Sequence, residues 1–165
     1  MRDRRSKLLT LVCAAVFAGA MWADTAASDE SIFAEGLEAY DAGDFESSFA
    51  AWRPLAEAGD VEAQVAIAGL YLHGFGVAPD PVEAAGWYQK AAEAGDSVAQ
   101  LNLGDLYGRG LGVPRDLVQA YVWLSLAADQ GRVWPAVRRD EIAAQMSAEQ
   151  IAAARDLLAS SRKRE

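Results

Sequence analysis

A spacing of 36 residues recurs through the middle of the chain, and it limits the fold more tightly than any other feature. Ala63-Gln64 returns as Ala99-Gln100, Tyr71 as Tyr107, and Gly74, Gly76 and Val77 as Gly110, Gly112 and Val113. The register continues through Asp80 and Asp116, Ala84 and Ala120, Trp87 and Trp123, Ala91-Ala92 and Ala127-Ala128, and Gly95 and Gly131. A period of that length implies a supersecondary unit that stacks on copies of itself, because one unit alone cannot bury its apolar face.

Each unit reads as two helices. Asp60 is placed to cap a helix reaching about Leu72, with Ala63, Ala66, Ile67, Leu70 and Tyr71 on one face. Gly74 and Gly76 should end it, since glycine enters the left-handed region at no steric cost. Asp80-Pro81-Val82-Glu83 predicts the next start: an aspartate cap, a proline in the first turn and a glutamate completing a capping-box pattern. That helix should run to Ala94 and stop at Gly95. Asp96 and Asp116 open the following pair in the same way, and Ser147-Ala148-Glu149-Gln150 is a further capping box.

Two less regular pairs flank the repeats. Ile32 to Ala42 and Phe45 to Ala58 form the first, joined by the short turn Gly43-Asp44. Trp134 to Gln145 and Ala148 to Ser160 form the last. The expected fold is all-α, an α-α superhelix of about four helix pairs within residues 28–160. The units span about 30–59, 60–95 and 96–131, with a capping pair at 132–160 and a frayed tail at 161–165.

Residues 1–27 read as a secretory signal peptide. Arg2, Arg4, Arg5 and Lys7 are followed by an uncharged stretch from Leu8 to Ala23, then by small residues suited to cleavage. The alternative is a retained signal anchor, although 16 apolar residues fall short of the roughly 20 that span a bilayer. Cleavage would leave no stable membrane insertion and place the protein in the periplasm or outside the cell. Cys13 lies in this segment, so the mature chain would contain no disulfide, no zinc-thiolate site and no cysteine nucleophile. With His73 the lone histidine, neither a metal nor another cofactor is expected.

Charge is uneven along the chain. Asp24 to Asp96 carries 15 acids against Arg53 and Lys90, whereas Ser97 to Glu165 is nearly balanced. Such an acidic surface repels phosphate backbones and argues against nucleic acid as a partner.

The run Leu103-Gly104-Asp105-Leu106-Tyr107, then Gly110, Gly112-Val113, Asp116, Ala120, Trp123 and Ala127-Ala128, resembles the Sel1-like repeat (SLR) family. Ala68 to Tyr71, Gly74, Gly76-Val77, Asp80, Ala84, Trp87-Tyr88 and Ala91-Ala92 resemble it too. That family is related to the tetratricopeptide repeat, and the first pair looks more like a tetratricopeptide unit. Ala68 departs from the family pattern, which has glycine there, and the third unit breaks down after Gly131.

The resemblance implies that the first helix of each pair lines a concave surface. Phe33, Leu37, Tyr40, Val65, Gly69, Leu101 and Asp105 would then face a groove, with His73 and Arg109 near its rim. Phe33 and Tyr40 could instead only close the N-terminal end of the core. The repeated aromatics and alanines are expected to pack the stack, and Asp80 and Asp116 to serve as caps, so no catalytic residue is assigned. The expected function is an exported scaffold, an adaptor or regulator that binds a protein or peptide partner, basic in character, without chemistry of its own. The alternative is a cell-wall-related or β-lactam-directed hydrolase with unidentified catalytic residues. Its support is analogy with cysteine-rich relatives whose cysteines this chain lacks.

Overall fold

The computed structural model describes residues 28–161, and every regular element among them is an α-helix. Helix α1 covers 28–41, followed by α2 (Phe45–Ala58), α3 (Val61–His73), α4 (Pro81–Glu93), α5 (Ser97–Arg109), α6 (Leu117–Asp129), α7 (Val133–Ala143) and α8 (Ala148–Ser161). The segment read as a signal peptide and the end of the tail, 162–165, lie outside the described residues.

Five aspartates start five consecutive helices. Asp60 accepts from the Ala63 amide at 2.7 Å, and Asp96 from Ala99 at the same distance. Asp80 and Asp116 each accept two amides of the following turn, between 2.9 and 3.1 Å. Asp44 accepts from Ser47. Each bond satisfies an amide that the helix geometry leaves without a partner. The Ser147 capping box is reciprocal, with Ser147 and Gln150 exchanging backbone-to-side-chain bonds of 2.9 and 3.2 Å. The expected box at Asp80 is only half present. The Asp80 amide donates to the Tyr71 carbonyl across the turn, so Glu83 has no amide to receive. Helix α1 also begins upstream of Ile32, the start expected from the apolar pattern.

The second glycine of each long turn sets how the pairs stack. A Cβ at Gly76 would lie 2.2 Å from the Phe45 carbonyl oxygen, and one at Gly112 would lie 1.9 Å from that of Pro81. Phe45 and Pro81 are first residues of the second helices in the preceding pairs, again 36 apart. Each turn therefore rests on the helix start of the unit before it.

The core is a row of clusters. Trp52, Leu55, Ala63, Ile67 and Leu70 join the first two pairs, and Ala68, Tyr88, Ala92, Leu103 and Leu106 join the second and third. Ala120, Leu124 and Ile142, then Val122, Ala154 and Leu158, attach the closing pair. Trp52, Tyr88 and Leu124 occupy one position of the repeat, all buried. The repeated Trp87, Trp123, Tyr71 and Tyr107 pack against these clusters from half-buried positions. No helix among the described residues is long and apolar enough to cross a membrane.

Candidate partner-binding groove

Among the described residues, concavities open between α1 and α3 and between α5 and α7, both pairs of consecutive first helices. The larger, about 440 Å³, lies between α1 and α3. Helix α1 supplies Phe33, Leu37 and Tyr40, and α3 supplies Glu62, Val65, Ala66, Gly69, Leu70 and His73, with Trp52 of α2 beneath. The spacing 33, 37, 40 places three side chains on one helical face. Five residues expected to face a groove, Phe33, Leu37, Tyr40, Val65 and Gly69, thus share one concavity with His73, which is expected near the rim.

Aromatic packing fixes the floor. Trp52 is buried and donates its Nε1 hydrogen to the Phe33 carbonyl at 3.1 Å, with the two rings stacked 5.5 Å apart. Tyr40 lies 5.8 Å from Trp52 and 5.2 Å from Phe45. Phe45 stacks on Phe75, which meets His73 at 5.6 Å. A bulky Trp52 fits because Gly36 faces it: a Cβ there would come within 2.3 Å of Nε1. Phe33 and Tyr40 therefore both close the N-terminal core and line the concavity. Above this floor Leu37 is 48% exposed and Tyr40 38%. His73 has no hydrogen bond to a carboxylate or hydroxyl among the described residues.

An acidic recess of about 340 Å³ adjoins the first concavity and shares Phe33 and Glu62 with it. Asp29, Glu30 and Asp60 complete its lining, and among the described residues no lysine or arginine lines either space.

Leu101 and Asp105 line a separate concavity of about 370 Å³ between α5 and α7, with Asn102, Trp134, Arg138 and Glu141. Here the charges pair within the protein. Arg138 bridges Asp105 and Glu141, and Arg109 reaches Asp105 at 3.5 Å. The Asp105 carboxylate raises the Arg138 pKa above its ordinary value. Arg109 lines neither concavity, so its place in the molecule is that of a partner to Asp105.

Several lining residues escape the sequence pattern. Glu62 and Ala66 could have been found, since they lie three residues before Val65 and Gly69 respectively, at the spacing of neighbours on a helical face. Trp134 and Arg138 could not, because the repeat that would assign their positions ends at Gly131.

The Sel1 repeat family model matches residues 61–96 and 97–131. A protective antigen of uropathogenic Escherichia coli displaying an SLR fold superposes with a TM-score of 0.75 at 30% identity, over 79% of this chain and 29% of that one. A Sel1 repeat protein from Oxalobacter formigenes superposes with a TM-score of 0.62 at 33% identity, over 65% of this chain and 44% of its own length. The chain thus spans less than half of either solved protein. No curated protein matches it in sequence. Proteins built from Sel1 repeats generally serve as protein-interaction scaffolds, and the fold is typically non-catalytic. The chain therefore contains two Sel1 repeats, at 61–96 and 97–131, within a helical solenoid of the SLR type.

Proposed function

We propose that this protein is an exported adaptor or regulator that holds a basic protein or peptide segment in the groove between α1 and α3 and performs no chemistry on it. The observation that carries the reading is the concavity itself. Its aromatic floor is fixed by internal contacts, while Leu37 and Tyr40 stand exposed above it. A pre-formed apolar surface loses little freedom on binding, so burial of these side chains appears as affinity. The surrounding carboxylates supply attraction for a cationic partner, which makes association salt-sensitive.

Export is supported by the basic, then apolar, order of residues 1–27. Cell fractionation with N-terminal sequencing of the recovered protein tests it, and a cytoplasmic chain that keeps residues 1–27 would refute it.

For the groove, pull-down from periplasmic extract at low and high salt is the direct experiment. A specific partner is expected at low salt and should diminish at high salt. Leu37→Ala and Tyr40→Ala should each weaken the captured interaction by about 2 kcal/mol, roughly 30-fold in Kd. A partner bound equally well by both variants would place the interaction elsewhere.

A further inference from the structure

We propose that the α1–α3 concavity receives one bulky apolar side chain from an extended segment whose adjacent residue is lysine or arginine. This rests on the reading of the groove as a partner site and specifies what that site recognises.

Gly69 is the first observation. Glycine within a helix costs about 1 kcal/mol relative to alanine, so it calls for a reason. Gly36, Gly104 and Gly108 have one, because a Cβ at each would come within 3 Å of a packed side chain. Gly69 and Gly86 have none of that kind: a Cβ at Gly86 would meet nothing within 4 Å on an exposed face, while one at Gly69, which lines the concavity, would meet only the Tyr88 hydroxyl, at an ordinary 3.8 Å. What the missing side chain of Gly69 leaves is space in the concavity. At about 440 Å³ that space lies near the low end of the range for small-ligand pockets, roughly 300–1,000 Å³. It suits a side chain and its flanking backbone more than a docked folded element.

The second observation is charge complementarity. Asp29, Glu30 and Glu62 have no ion-pair partner among the described residues, and Asp60 commits one oxygen to its helix cap. Arg53, the one base of α2, is bonded to Glu57 at 2.9 Å. The acidic recess therefore keeps its charge for an external cation. Because Phe33 and Glu62 line both spaces, the apolar group and the cation must be neighbours on the ligand. A free apolar molecule would leave the carboxylates unused, and an anionic ligand would be repelled by them.

The test is a peptide array in a Gly-Ser host, with every ordered pair of residue types at two central positions, probed with the purified, fluorescently labelled protein. The spots expected to bind pair Leu, Met or an aromatic residue with Lys or Arg. Their signal should exceed that of the matching glutamate spots at least tenfold. Gly69→Leu should abolish it while leaving the melting temperature unchanged or raised, since the new side chain enters open space on a helix. Glu30→Gln combined with Glu62→Gln should remove the cation preference and keep the apolar one. A blank array, equal binding to lysine and glutamate spots, or unchanged binding by Gly69→Leu would each overturn the inference. The scaffold reading is judged separately. A partner pulled down equally by wild type and Gly69→Leu would leave the protein a scaffold that uses another surface.

Discussion

At the scale of single residues, glycines that look alike in sequence do different work. Gly112 and Gly131 both have positive φ, +73° and +83°. Alanine at Gly131 would meet nothing within 4 Å and should cost only the left-handed conformation, about 1–2 kcal/mol. Alanine at Gly112 adds a collision with the Pro81 backbone, which cannot move aside as a flexible side chain can. Its cost should be about 3 kcal/mol or more. Urea denaturation of the two variants measures the difference, and equal losses would refute the stacking role of the turn. Tyr88 makes a second residue-level prediction. Burial pushes its phenol up to about 12, so the folded state favours the neutral form. Its contribution is fully present below the unfolded value near 10 and declines as pH rises from there to about 12. The loss should be on the order of 2–3 kcal/mol at most. Melting temperatures from pH 9 to 12 should therefore fall more steeply for wild type than for Tyr88→Phe.

Between elements, a repeated glutamine ties the first pair to the second and the second to the third. Gln64 and Gln100 are buried and donate from Nε2 to the Ala56 and Ala92 carbonyls, both at 3.2 Å. Those carbonyls lie near the ends of α2 and α4, so each bond joins a second helix to the first helix of the following pair. Gln130 adds a second layer at one of these sites, donating to Gln100 and to the Gly95 carbonyl. Gln64→Ala should cost about 1–2 kcal/mol, because the Ala56 carbonyl keeps its bond from Gly59. Gln100→Ala also removes one of the two acceptors of Gln130, which keeps its bond to Gly95, and should cost more. A denaturant series on both variants checks the order. The pattern shows why Ala63-Gln64 and Ala99-Gln100 recur together: a small residue permits close packing, and the amide beside it bonds the neighbouring helix.

At the scale of the whole molecule, adjacent pairs share clusters, so stability should be local and coupled to nearest neighbours. The closing pair attaches partly through Arg138, which spans from α7 to Asp105 on α5. Both side chains are about one-third exposed, so the pair contributes at most about 1 kcal/mol to global stability. Its loss should appear locally. Arg138→Ala is expected to speed amide hydrogen exchange in α7 and leave α2 to α4 unchanged. Uniform acceleration along the chain would instead indicate a single cooperative unit.

The sequence by itself determined the helical units, their caps and their order, because these depend on local chemistry that repeats. Aspartate before a helix and glycine after it act over a few residues, and the 36-residue period multiplies the signal. The faces of α1 and α3 were legible for the same reason: once a helix is placed, a 3.6-residue turn decides which side chains lie together. Only tertiary structure decided which of them share a cavity. Leu101 and Asp105 follow the same helical pattern as Val65 and Gly69, yet they face α7 across a separate concavity, and Arg138 pairs with Asp105. That outcome depends on a helix beyond the last repeat, where no period assigned positions. Tertiary structure likewise distinguished Gly69 from the glycines that packing requires, because the distinction is a distance to another helix.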